Sequence, residues 1–218
     1  MPSPKTFLLP ESYRDYARNP DLQKAYTLID GVGTKLQYLP PDFTFEQTQA
    51  FFEATFALSV IKFDYYKSIC ELWEKTWGQA LNEKAMSMRE LTAGEHVQAY
   101  EDKDFLTPKG IWEGALERGF DLIWEDGKAY VLWLSCYADR KHNAIHLFAG
   151  VYDVDKKSVT EDLLGQNVKT ELWTIKDEGL YTNRDLCAYS PETAEEIDIA
   201  PLQNAAAAVI DLVADHCK

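Results

Sequence analysis

The stretch DLIWEDGKAYVLWLSCYADRKHNAIHLFAGVYD, residues 121–153, decides the fold. Apolar and polar side chains alternate along it with a period of two, the signature of strands with one face buried. Asp126-Gly127 between Asp121–Glu125 and Lys128–Tyr137 reads as a type I′ hairpin turn. A third strand, Ala144–Asp153, follows the charged turn Asp139–His142. The segment is expected to be an antiparallel meander, extended by a strand over Thr170–Ile175 and a short fifth over Gly179–Asn183.

A sheet of this kind needs a cover on at least one face. The sequence offers two helices for it. From Phe43 to Trp77 there is no Gly or Pro, and Thr44 with Gln47 makes a capping-box start. Phe52, Phe56, Val60, Phe63, Tyr66, Cys70, Trp73 and Trp77 recur at spacings of three and four, with Phe51, Leu58, Ile61, Tyr65, Ile69 and Leu72 as a second stripe. Both stripes read as core. Helical patterning resumes over Gln79–Leu91, and Ala93-Gly94 marks its end. The second cover is Ala200–Ala214, opened by Pro201 and carrying Leu202, Ala206, Val209, Ile210 and Val213.

Elsewhere, Thr107-Pro108 and Gly119 bracket a short helix over 108–118. Residues 1–43 read as a lead-in with short helices at Glu11–Arg18 and Asp21–Ile29 and a short strand at Lys35–Leu39. Asp30-Gly-Val-Gly-Thr-Lys35 resembles a phosphate loop only faintly. Thr34 precedes Lys35 where the loop needs lysine first, so it reads as a turn. The expected architecture is a single α+β domain over 1–218. Residues 1–94 form a mainly helical half, and 95–218 hold a meander of four or five strands and the C-terminal helix.

Composition narrows the class. The chain has 218 residues, 46% hydrophobic and 13% aromatic, with only 11 Gly and 9 Pro, which excludes collagenous and disordered classes. Its formal charge is −14, and the imbalance is −4 over residues 1–109 but −10 over 110–218. Asp185 to Lys218 holds seven acids and one base, a field that repels a nucleic-acid backbone. Met1–Pro10 has no targeting pattern, and the least polar run, Ala54–Ile61, is too short for a membrane span, so a cytoplasmic protein is expected. Cys70, Cys136, Cys187 and Cys217 are widely spaced, with no C-x-x-C pair, and read as reduced thiols.

One cluster invites a catalytic reading: Ser135, Cys136, Asp139, His142 and His146. A turn of two or four residues around Arg140-Lys141 sets Ser135 across from His146 and puts Cys136 on the aliphatic face; a turn of three or five brings Cys136 to the histidine face. Ser135, His146 and Asp139 would then be nucleophile, base and orienter. Yet Ser135 lies inside a regular strand without the strained elbow or amide donors such a nucleophile needs. His142 and His146, about 13 Å apart along a strand, are too far from one another to chelate. The acids Glu192, Glu195, Glu196 and Asp198 lack a calcium-loop spacing. Neither metal nor cofactor is expected.

The expected function is therefore an acidic protein-binding module that covers a basic surface of another protein, of the immunity-protein or phage-encoded inhibitor kind. Its partner-facing residues are Asp185, Glu192, Glu195, Glu196 and Asp198, with Trp133, His146 and Phe148 on the aromatic sheet face as anchors. The alternatives are a small hydrolase-like enzyme at Ser135, Asp139 and His146, and a scaffold or assembly subunit using the long helix.

Overall fold

The computed structural model describes residues 6–22, 44–84, 86, 88–91, 115–139, 143–176, 179–190 and 196–217. The expected turn at 30–35, the strand at 35–39 and most of the helix at 21–29 lie outside them. The protein is α+β: a five-strand antiparallel sheet, a long helix and a C-terminal helix. Its described residues form two compact units, 1–8 with 69–218 and 9–68.

The larger unit is built on the sheet. Strands β2 (Ala115–Ile123), β3 (Ala129–Asp139) and β4 (Ala144–Tyr152) form the expected meander; β5 (Trp173–Lys176) and β6 (Gly179–Thr182) complete it in the order β2-β3-β4-β6-β5. The last hairpin thus enters with its second strand, and β5 takes the edge. β1 (Thr6–Phe7) pairs separately with β7 (Ile197–Asp198).

Three local expectations need correction. The β2–β3 turn carries positive φ at Gly127 alone, 82°, so it is a type I turn closed by a left-handed glycine rather than type I′. Of the helix expected over 108–118, residues 115–118 belong to β2 and the rest lies outside the described residues. Gly119 is there because the Trp133 indole crosses it: a Cβ at this position would lie 3.0 Å from the ring. The helix resuming at Gln79 stops at Glu83, and Arg89 to Leu91 run along the outer edge of β2, with Leu91 N–H donating to the Gly119 carbonyl at 2.8 Å.

One sheet face is aliphatic. Leu132, Leu134, Cys136, Ile145, Leu147, Ala149, Val151 and Leu180 are all fully buried. Across it lies the end of the long helix α2 (Phe45–Trp73), continued by a π-helical turn, Glu74–Gly78, and a last segment α3 (Gln79–Glu83). The C-terminal helix α4 (Ala200–His216) adds Leu202, Ala205, Ala206, Val209, Ile210 and Val213. Directional bonds fix this packing. The indole N–H of Trp73 donates to the Leu134 carbonyl at 3.3 Å, that of Trp77 to Ser135 at 2.9 Å, and that of Trp173 to Ala205 at 3.3 Å.

In the smaller unit, α1 (Glu11–Arg18) packs on the first six turns of α2 through Tyr13, stacked on Tyr65 with centroids 4.4 Å apart. Ser12 Oγ donates to Asp64 at 3.0 Å. The capping box is formed: Thr44 N–H donates to the Gln47 amide oxygen at 2.8 Å and Gln47 N–H to Thr44 Oγ1 at 3.3 Å.

The two stripes of α2 separate here. Leu58, Ile61, Tyr65, Ile69 and Leu72 are buried as expected, and so are Trp73 and Trp77. Of the rest of the first stripe, Phe52 is 60%, Phe56 72%, Val60 41% and Phe63 65% exposed, and Tyr66 and Cys70 are half-buried; Phe45, a turn earlier, is 78% exposed. Reading Phe52, Phe56, Val60 and Phe63 as core is corrected, because a 3.6-residue period marks an apolar face without saying what covers it. Among the described residues no helix is long and apolar enough to cross a membrane.

Candidate functional site

The alternation that buries Leu132, Leu134 and Cys136 sends Val131, Trp133, Ser135, Tyr137 and Asp139 to the opposite face of β3. The register sets what they meet. Ser135 pairs with Phe148 and Tyr137 with His146. Asp139 pairs with Ala144, so the turn is a four-residue one, 140–143, one residue further along than the arrangement that would place Ser135 across from His146. That pairing is corrected by two residues; the faces are unchanged, because a shift of two preserves the pleat.

Glycines shape this outer face. A Cβ on Gly150 would lie 2.8 Å from the Tyr152 ring and 2.9 Å from that of Phe148, and one on Gly179 would lie 2.1 Å from Phe148. With Gly119 under Trp133, three glycines on three strands leave room for rings to lie along the sheet rather than stand away from it. Phe148 packs on Tyr181 with centroids 5.0 Å apart, and Tyr137 stacks on His146 at 5.4 Å. Trp133, Tyr137, Phe148, Tyr152 and Tyr181 are each half-buried. The result is an aromatic layer on the sheet, in which the Tyr181 ring is tilted 56° from that of Phe148.

Polar groups around it are mostly acidic. Pleat parity puts Glu117, Asp121 and Asp139 on the same face, all half-buried, against Lys176 on β5. Asp121 is paired with Arg89 at 2.7 Å. Burial pushes the Tyr137 hydroxyl up to about 12, with Tyr181 and Asp139 adding to the shift, so the phenol stays protonated at neutral pH.

The proposed triad residues are neighbours of a different kind. His146 has Tyr137 opposite it and Ser135 and Asp139 diagonally on either side. Its Nδ1 lies 3.2 Å from the Thr182 carbonyl, which only accepts, so that nitrogen carries the proton. Ser135 is 1% exposed. Cys136 lies on the aliphatic face, its thiol donating to the Ile69 carbonyl at 3.4 Å and pushed well up by burial. His142 lies outside the described residues, and among those described no three His, Cys, Asp or Glu side chains group as a metal site.

The C-terminal acids divide. Asp185 and Glu196 are exposed. Asp198 has a structural task, its carboxylate accepting from Ala200 N–H at 2.9 Å at the start of α4. Glu192 and Glu195 lie outside the described residues.

Sequence reasoning missed one feature. A cleft of about 270 Å³ opens beside the π-helical turn, lined in part by Trp73, Glu74, Met88, Glu90 and Arg118. Arg118 lies 4.3 Å above the Trp73 ring and pairs with Glu74 at 3.0 Å and Glu90 at 3.7 Å. Its charge is already matched within the chain. The signal was hidden because Arg118 fell in the stretch read as a helix.

Comparison of the chain with protein-family models, curated proteins and solved structures finds no match.

Proposed function

We propose that this chain is a protein-binding module whose outer sheet face seats a basic surface of another protein. The observation that carries the reading is the half-exposed layer of Trp133, Tyr137, Phe148, Tyr152 and Tyr181, bordered by Glu117, Asp121 and Asp139. Rings already packed on one another and on the glycines lose little conformational freedom on binding, and aromatic faces attract the cationic heads of Arg and Lys. Glu117 and Asp139 supply the opposite charge, and Asp121 is already paired with Arg89. The −10 imbalance of residues 110–218 extends that field beyond contact range, steering a basic partner during encounter. Covering such a surface is how toxin-neutralising proteins and inhibitors of nucleic-acid enzymes act, and the same role is proposed here. The hydrolase alternative draws no support from the deeply buried Ser135.

The test is retention of proteins from the native host on immobilised chain at low and high salt, run beside Trp133→Ala and Glu117→Lys. A basic protein held by wild type at low salt and lost from both variants is the expected result. Equal retention by all three, or capture of acidic proteins only, would sink the reading.

A further inference from the structure

The exposed stripe of α2 carries more than apolarity. Phe45, Phe52, Ser59 and Tyr66 are spaced by seven residues, and so are Gln49, Phe56 and Phe63, the two sets alternating at steps of four and three. That is the a/d repeat of a coiled-coil seam, and it runs for about 30 Å of helix. Every member is exposed except the half-buried Tyr66.

The flanks decide the occupant. On one side of the seam stand Glu46, Glu53, Val60 and Lys67, acidic at the start of the helix and basic at its end. A second copy laid antiparallel sets Glu46 of each chain beside Lys67 of the other. The same arrangement brings Phe63 against Phe52 of the second copy, Phe56 against the small Ser59, and Gln49 against Tyr66, so large and small side chains interleave. A parallel pair would instead leave Glu46 of each chain at the opposite end of the seam from Lys67 of the other, and stack each phenylalanine on its own equivalent.

We propose that α2 is a self-association helix and that two copies of the chain pair through it, antiparallel, on the Phe52–Phe56–Phe63 seam. The seam shares no residue with the sheet face, so either proposal can fail while the other stands.

Sedimentation equilibrium of the full chain over a concentration series tests it, with circular dichroism as the folding control. Wild type is expected to show a monomer–dimer equilibrium, and Phe56→Glu to raise the dimer dissociation constant by roughly a hundredfold, because the substitution acts at two layers. Glu46→Lys or Lys67→Glu alone should raise it roughly tenfold, and the combined swap should restore it to within about threefold of wild type. Trp133→Ala should leave it unchanged. Three results would overturn the proposal: a monomer at every concentration, as when residues 23–43 or another protein occupy the seam; a dimer indifferent to Phe56→Glu; or a double swap without rescue.

Discussion

Tyr137, and not Ser135, stands across from His146 on the outer face of the sheet, the two rings stacked with centroids 5.4 Å apart. The pairing makes His146 a packing partner, with its Nδ1 proton directed to the Thr182 carbonyl. Burial, with Tyr181 and Asp139 nearby, raises the pKa of the Tyr137 phenol.

The folded-state pKa of Tyr137 is about 12, against an ordinary value of 10.0. A pKa raised on folding means stability that is fully present below the unfolded value and lost as pH rises through the folded one. Stability should therefore fall between pH 10 and about 12. Tyr137→Phe should flatten that fall. Denaturant unfolding of both chains across this range, with ultraviolet titration of the phenols, is the check; an equally steep fall in the variant would assign the loss elsewhere.

Cys136 should be the least reactive thiol. It is fully buried against Ile69, whereas Cys70 and Cys217 are half-exposed. Peptide mapping after brief native alkylation should find label on Cys70 and Cys217 before Cys136. Early label on Cys136 would mean that the strand register is wrong.

The two faces of α2 predict opposite outcomes for aromatic truncation. Trp73→Ala removes a buried indole that bonds Leu134 and should cost roughly 3–5 kcal/mol. Phe63→Ala should change monomer stability by only about 0.5 kcal/mol. Both are read from denaturant midpoints at a concentration low enough to hold the chain monomeric.

Gly179→Ala tests the aromatic layer. Its Cβ would sit 2.1 Å from the Phe148 ring and 3.1 Å from the Ala149 carbonyl, so the ring must lift. A loss of roughly 1–3 kcal/mol is expected, with weaker binding of any partner that uses this face. Wild-type stability in the variant would show that Phe148 has another place to go.

The acids of the C-terminal segment separate in the same way. Reversing Glu192, Glu195 and Glu196 to Lys should slow association with a basic partner by an order of magnitude or more at low salt, within the roughly 10–10³-fold range of steering, and leave the thermal midpoint in place. Asp198→Ala should do the reverse, costing about 1 kcal/mol through the lost bond to Ala200 while leaving association nearly unchanged.

Much of this architecture was legible because its signals are local. Alternation from Lys128 to Tyr137 and Ala144 to Asp153 sets the faces, Thr44 and Gln47 start the helix, and Pro201 starts α4. What escaped depends on contacts distant in sequence. Gly119 reads as a helix end, and only the Trp133 ring explains it as a strand position. Strand order was hidden since nothing in Gly179–Thr182 says that it, rather than Trp173–Lys176, lies beside β4. Phe56 and Tyr65 carry the same helical period, and burial alone tells them apart. For the site, Trp133 and Phe148 were visible as aromatic residues on one face, but the Gly119 and Gly179 positions that their rings cross belong to neighbouring strands.

The three indole bonds to Leu134, Ser135 and Ala205 have a spectroscopic consequence. Trp73, Trp77 and Trp173 sit in dry surroundings with their N–H groups engaged, so their emission belongs at the blue edge of the tryptophan band. Trp133, half in water on the far side of the sheet, emits further to the red. In a chain that keeps only these four of its six tryptophans, one spectrum holds two reporters: its blue edge follows the cohesion of helix and sheet, and its red edge follows whatever settles on the aromatic face.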